Sequence, residues 1–153
     1  MSNLNIDCAG FDLSLFNPTQ FQLSFSKLPN LSFLCQTINM PEVSFGTATA
    51  PTPFHDLHLP GEKLEYGIFS AEIILDKNLV TYKEIYKWMK DISVLDGSTD
   101  WASNCLIMLG TVSFKVKDVY PISISSMQLS KTIEGSPPLV FSASFNFTTF
   151  DLI

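Results

Sequence analysis

The residues of this sequence best suited to bind a metal ion are two histidines that flank an aspartate. His55 and His58 lie on either side of Asp56 within a proline-rich stretch. A zinc-type site needs at least one further ligand that converges on the same point from a rigid support. The neighbouring sequence offers neither, so we interpret these side chains as polar loop residues and predict no metal site and no cofactor.

The cysteines give no pattern of catalytic chemistry either. Cys8, Cys35 and Cys105 are widely spaced and odd in number, which is typical of free thiols in a reducing compartment rather than of a disulfide framework or a metal site. The sequence also lacks a Gly-x-Ser-x-Gly elbow, a phosphate-binding P-loop and a Gly-x-Gly-x-x-Gly motif. We therefore predict that the protein is not an enzyme.

Composition excludes several further classes of protein. The 153 residues suit one domain spanning 1–153, and 46% are hydrophobic whereas only 16% are charged, which is the opposite of a disordered chain. All nine basic residues are lysines, and the formal net charge is −6. Since arginine is the usual reader of phosphates and base edges, we predict no sequence-specific nucleic-acid binding. We also expect no secretory signal and no membrane span.

Hydrophobic alternation with a period of two residues dominates the chain. It is clearest near the end, where Phe141, Ala143, Phe145 and Phe147 alternate with small polar residues. Such segments are typical of antiparallel strands with one apolar and one polar face. The alternating segments are 21–26, 31–36, 70–75, 112–117 and 141–148. We predict a mainly β fold, an antiparallel sandwich or barrel.

One helix interrupts the strands. Ile85, Met89 and Ile92 are spaced as one face of a helix, and Thr81 with Glu84 forms a Thr-x-x-Glu capping box before it. The pattern predicts a flanking helix over about 82–92.

Two segments are predicted to project from the domain. Between residues 41 and 62, four prolines and two glycines interrupt the chain, and no core strand would contain Pro51 and Pro53 in its middle. We expect a long hairpin or arm there, and a weakly patterned N-terminal arm over 1–18.

The uncharged last strand favours assembly into a larger structure. From Leu139 to Phe150 the sequence contains no charged residue. If this strand lies at the edge of a sheet, nothing protects it from pairing with another subunit. Its Ser, Thr and Asn face is also easier to desolvate than a charged face, as subunit interfaces require.

Several segments of the sequence, by their order along the chain, resemble the tail tube proteins of contractile-tailed bacteriophages. The helix of this family has a Tyr-x-x-Ile-x-x-Trp pattern, as in Tyr82, Ile85 and Trp88, although Lys77 stands where a second acid is expected in the preceding turn. The block that begins with Tyr120 is similar to the baseplate tube initiators of the family. The segments that carry the resemblance are Phe21–Gln36 read as an N-terminal hairpin, Met40-Pro41, Leu59–Tyr66, Ile73–Met89 and Tyr120–Ser130.

The resemblance implies a structural role and a set of partners. Six copies would form a ring, rings would stack into a tube, and DNA and the tape-measure protein would occupy the channel without sequence-specific contacts. Sheath and baseplate proteins would be further partners, the location would be the virion after assembly in the host cytoplasm, and no membrane contact is implied.

Two sets of residues are predicted to serve this role. The channel lining is predicted to comprise Ser142, Ser144, Asn146, Thr148 and Ser113. The contacts between subunits or rings are predicted to comprise Phe45, Thr47, Phe54, His55, Leu57, His58, Leu139 and Phe150.

Three alternatives remain open from the sequence. The first is an initiator or terminating ring of the same family, and the second is the ejected tube of a type VI-like secretion system. The third, from a different class, is a monomeric β-barrel that binds a small ligand in an apolar cavity.

Overall fold

The computed structural model describes residues 15–94, 101–132, 135 and 137–153. Cys8, most of the expected N-terminal arm and the loop at 96–100 lie outside these residues. The elements, in chain order, are β1 (Phe21–Phe25), α1 (Leu31–Leu34), β2 (Cys35–Asn39), β3 (Val43–Pro51), β4 (Asp56–Tyr66), β5 (Phe69–Ile74), α2 (Val80–Val94), β6 (Ser103–Leu109), β7 (Val112–Ile124), β8 (Val140–Asn146) and β9 (Thr149–Leu152).

Seven strands form one antiparallel sheet that folds over on itself. Their order is β1-β6-β7-β8-β5-β2, and β9 pairs with β7. The 13-residue strand β7 joins two half-sheets: its first part pairs with β6 and β9, and its last part pairs with β8. We call β1-β6-β7-β9 the first half-sheet and β2-β5-β8-β7 the second. The predicted mainly β, antiparallel sandwich is confirmed.

Phenylalanines from both half-sheets fill the core. The Phe25 ring of the first half-sheet lies 5.0 Å from that of Phe145 and 6.2 Å from that of Phe69, both in the second. Phe69, Phe141 and Phe145 are fully buried. Burying a side chain of this size stabilises the fold by roughly 2–3 kcal/mol, so these rings hold the two half-sheets together.

Helix α2 covers the core side of the second half-sheet. Ile85 and Trp88 are buried, and the rings of Tyr82 and Trp88 contact those of Phe141 and Phe145. The Trp88 indole N–H donates to the Trp101 carbonyl at 2.9 Å. The predicted helix is confirmed, and it extends two residues further at each end.

The predicted capping box is wrong. Thr81 lies inside the helix, where its hydroxyl is buried and has no hydrogen-bond partner. Asp76 caps the helix instead, since its Oδ1 accepts a bond from the Val80 N–H at 2.9 Å. The chain reaches this arrangement by turning through Leu79, which has a φ of 54°.

The predicted N-terminal hairpin over 21–36 is also wrong. Residues 31–34 form the short helix α1, and β1 and β2 pair with β6 and β5 rather than with each other. Leu28 and Leu31, three residues apart, are both buried, whereas Phe33 is 85% exposed. Burying Leu28 and Leu31 together favours a helical turn here. It outweighs the strand that the alternation at residues 31, 33 and 35 predicts.

The expected edge position of the last strand is wrong for its first part. The segment is split into β8, which lies between β5 and β7, and β9, which pairs only with β7. A strand with two neighbours has no unpaired backbone to protect, which explains its lack of charge without an intermolecular partner.

The predicted projecting hairpin is confirmed. Strands β3 and β4 pair only with each other, as a two-stranded sheet. The register shifts between Phe45 and Thr47, where β4 has extra residues. Gly61 lies so close to Gly46 that a Cβ on Gly61 would overlap the Gly46 backbone. The hairpin therefore depends on glycine at position 61.

Among the described residues, no helix is long and apolar enough to cross a membrane.

Candidate functional site

The second half-sheet presents a nearly uncharged polar surface on its face away from the core. Asn39 Nδ2 donates to Ser70 Oγ at 3.3 Å, and Asn146 Nδ2 donates to the Tyr120 hydroxyl at 3.1 Å. Glu72 is its single ionisable carboxylate. Tyr120, Ile74 and Val140 lie on the same side of the half-sheet, and the short polar and acidic side chains that we call the polar face are those of Thr37, Asn39, Ser70, Glu72, Ser123, Ser142, Ser144 and Asn146.

Cross-strand pairing arranges the polar face in rows. Thr37, Glu72 and Ser142 are neighbours on three successive strands, and the next row begins with Asn39 and Ser70. Rows of short hydroxyl and amide side chains make a flat surface that donates and accepts hydrogen bonds without a strong electric field. Such a surface can slide past a polymer or pair with another subunit at little desolvation cost.

Three of the five residues predicted to line a channel lie together on the polar face. Ser142, Ser144 and Asn146 point away from the core and are half-buried. Thr148 lies in the link between β8 and β9, and its N–H donates to the Lys117 carbonyl. Ser113 lies on the first half-sheet, where its backbone pairs with Ile153. The structure therefore does not bring Thr148 and Ser113 onto the polar face.

The hairpin is the second surface without an intramolecular cover. Phe54 at its tip is 95% exposed, and Phe45 and Leu64, which face each other across the strands, are each 51% exposed. Leu57 and Leu59 are also exposed. An apolar area of this kind on a protruding element is typical of a contact surface for another protein.

The predicted contact residues lie mostly on this hairpin. Thr47 and His58 are exposed on its two strands, and His55 lies in the tip turn, where its backbone bonds to Thr52. No group of three potential metal ligands occurs among the described residues. Leu139 and Phe150 lie elsewhere: the Leu139 carbonyl accepts a bond from Leu75, and the Phe150 ring is half-buried in an aromatic cluster. The rings around Phe150 are those of Tyr66, Phe114 and Phe147.

Sequence reasoning missed part of both surfaces. Thr37, Asn39, Ser70 and Glu72 belong to the polar face because β2 and β5 lie beside β8, an order that no local pattern reveals. Leu64 could have been found from its position two residues before Tyr66, since Leu64 and Tyr66 face one side of β4.

The two described cysteines are not suited to nucleophilic chemistry. Cys105 is buried and Cys35 is half-buried, and both are free thiols as predicted. Burial raises the pKa of the Cys35 thiol to about 11 and raises the pKa of Cys105 above its ordinary value. Since the thiolate is the nucleophile, both side chains are unreactive at neutral pH.

No protein-family model and no curated protein sequence matches this chain. Solved structures do match over nearly its whole length. A chain of the anti-feeding prophage tube-terminating cap superposes with a TM-score of 0.71 at 14% identity, covering 98% of this chain and 99% of that one. The chain has the tail-tube fold.

Two further structures share this tail-tube fold. A chain of an extracellular contractile injection system in its sheath-tube complex gives a TM-score of 0.70 at 13% identity, with 99% of both chains covered. A chain of the sheath/tube terminator of such a system gives 0.69 at 12% identity, with 93% of this chain and 99% of that chain covered. The resemblance stated from the sequence is thus confirmed at the level of the fold. The three superpositions cover 93–99% of this chain.

Proposed function

We propose that this protein is a structural subunit of the inner tube of a contractile tail or injection apparatus. The observation that carries the proposal is the end-to-end superposition on the anti-feeding prophage tube-terminating cap, with a TM-score of 0.71 over 98% of the chain. In this proposal six copies form a ring, and rings stack into a tube. A sheath surrounds the tube, and a baseplate is attached to one end. In a phage tail, the tube is the conduit for DNA and the location is the virion.

The polar face is proposed to form the channel wall. It contains no lysine among its eight side chains, and its only charge is the Glu72 carboxylate. DNA binds proteins chiefly through its phosphates and cationic side chains. A wall of neutral hydroxyls and amides with a sparse negative charge lets DNA or the tape-measure protein pass without holding it.

The hairpin is proposed to contact a neighbouring subunit or the next ring. In a monomer, Phe45, Phe54 and Leu64 would remain in water. Burying apolar surface stabilises an association by roughly 25 cal/mol per Å² before the cost of ordering the partners. The hairpin therefore gains free energy if another copy covers these side chains.

A ring that terminates or initiates the tube is the second candidate function. Two of the matched structures are a tube-terminating cap and a sheath/tube terminator. Their TM-scores, 0.69 and 0.71, differ by only 0.01 from the 0.70 of the sheath-tube complex, so an assembly measurement must distinguish a repeating subunit from a terminating one. A repeating subunit stacks into tubes, whereas a terminator alone stops at single rings.

The experiment that tests the proposal is negative-stain electron microscopy of the purified protein over a range of concentrations, with light scattering for the mass. We expect rings with a central hole, and tubes at high concentration. The control is Phe45→Ser/Leu64→Ser, which leaves the buried core unchanged and should shift the protein toward the 17.1 kDa monomer. A wild-type protein that stays monomeric at every concentration would exclude the proposal and favour a monomeric β-barrel.

A further inference from the structure

Helix α2 presents a line of positive charge to solvent. Lys83, Lys87 and Lys90 lie at positions i, i+4 and i+7, and all three are exposed. Residues with this spacing share one face of a helix. Tyr86 and Val94, 56% and 73% exposed, lie beside them. We call these five residues the lysine stripe.

Among the residues that the structure describes, two of the three acids closest to the stripe in sequence make hydrogen bonds elsewhere. Glu84 is half-buried, and its Oε1 accepts a bond from Asn30 Nδ2 at 3.0 Å. Asp76 caps the helix through Val80. Asp91 is exposed and offsets part of the charge. Helix α2 contains three lysines and two acids, so its net charge is +1 in a chain whose net charge is −6.

The hairpin carries the opposite charge. Residues 42–66 contain four exposed acids and one lysine. With the histidines counted as neutral, the net charge of this segment is −3. Glu62 and Glu65 are close in sequence to Leu64, whose partner across the strands is Phe45. This surface therefore combines negative charge with exposed apolar groups, as the lysine stripe combines positive charge with Tyr86 and Val94. The four acids are Glu42, Asp56, Glu62 and Glu65.

We propose that the lysine stripe of one copy binds the acidic hairpin of the next copy. The inference rests on the proposed function and names the two surfaces that meet. Because they are different surfaces, the contact is head-to-tail, and such contacts generate closed rings or open stacks rather than simple dimers. The charges select the register and speed the encounter, and the apolar groups between them supply most of the affinity.

Reversing the charges on each side tests the contact. The helix variant Lys83→Glu/Lys90→Glu changes the three lysine positions from +3 to −1, and its new glutamates face Lys87 at i+4 and i−3, which preserves the helix. The hairpin variant Glu62→Lys/Glu65→Lys changes residues 42–66 from −3 to +1. The matched control Lys115→Glu/Lys131→Glu changes the net charge as much as the helix variant does, at exposed positions outside both surfaces. Assembly is measured by light scattering and electron microscopy, and folding by circular dichroism.

We expect each reversed variant alone to need a protein concentration at least about tenfold higher to assemble. An equimolar mixture of the two should assemble like wild type, because every helix–hairpin contact in an alternating ring is then complementary. The control variant should assemble normally, and added salt should weaken wild-type assembly. Normal assembly of both reversed variants, or no rescue on mixing folded variants, overturns this contact alone. A monomeric wild-type protein overturns the proposed function as well.

Discussion

Gly61 is the residue on which the shape of the hairpin depends. Its Cα faces the Gly46 backbone so closely that a methyl group on Gly61 would overlap it, whereas a Cβ on Gly46 would lie at an ordinary 3.9 Å from the Lys63 carbonyl oxygen. Contact with backbone atoms cannot be relieved by rotating a side chain. The hairpin strands must separate instead.

We therefore predict that Gly61→Ala opens the hairpin, whereas Gly46→Ala, its matched control, leaves it intact. Hydrogen exchange should show faster exchange of the β3 and β4 amides in Gly61→Ala. Protection of the core strands should remain, because the hairpin is a separate two-stranded sheet. Equal protection of the hairpin in the two variants would contradict this account.

Cys35 gives a second prediction at the residue scale. With a pKa of about 11, only about 0.1% of this thiol is ionised at pH 8, and the thiolate is the reactive form. We expect iodoacetamide to alkylate Cys35 roughly a hundredfold more slowly in the folded protein than in urea, as measured by mass spectrometry of its peptide. The raised pKa means that the folded state holds this proton more tightly than the unfolded state. The contribution of the protonated Cys35 thiol to the free energy of unfolding should therefore be fully present below about pH 8.5. It should be lost as the pH rises toward 11. Equal alkylation rates with and without urea would refute the burial argument.

At the scale of elements, the start of α2 gives a paired prediction. Asp76→Ala removes the acceptor of the Val80 N–H and should lower the free energy of unfolding by about 1 kcal/mol. Thr81→Val replaces a buried hydroxyl that has no partner with a methyl group of similar shape. It should be neutral or stabilising by up to about 1 kcal/mol. Urea unfolding of both variants measures these changes, and a larger loss for Thr81→Val than for Asp76→Ala would restore the capping box.

The same elements show why some could be predicted from sequence and others could not. The body of α2 was predictable because Ile85, Met89 and Ile92 repeat over three turns, and a long period is hard to imitate by chance. Its first turn was not, because Asp76 and Thr81 are both good capping residues and only the path through Leu79 decides between them. At 31–36 the alternating segment was too short to distinguish a strand from one helical turn.

At the scale of the whole molecule, the sequence predicts which side chains of a strand face the core. It does not predict which strands lie beside that strand in the sheet. The buried face of Phe141, Ala143 and Phe145 follows from local alternation. The central position of β8 follows instead from pairing with β5 and β7, which lie far away in sequence. Half of the polar face belongs to β2 and β5, so only the strand order shows how large this surface is.

The strand order also makes the location of the polar face in an assembly testable through one side chain. Ser144 lies on this face in β8, and α2 covers the opposite side of the same half-sheet. If the face lines a channel, a cysteine at position 144 is reachable only through the lumen.

We predict that Ser144→Cys, in a Cys8→Ser background, reacts in assembled tubes with a small maleimide but not with one attached to a large polymer. In isolated subunits it should react with both, which controls for intrinsic reactivity. Labelling of tubes by both reagents would place the face on the outside, and labelling by neither would place it in a seam between subunits. Only the size-dependent result agrees with a channel wall made of neutral hydroxyls and amides.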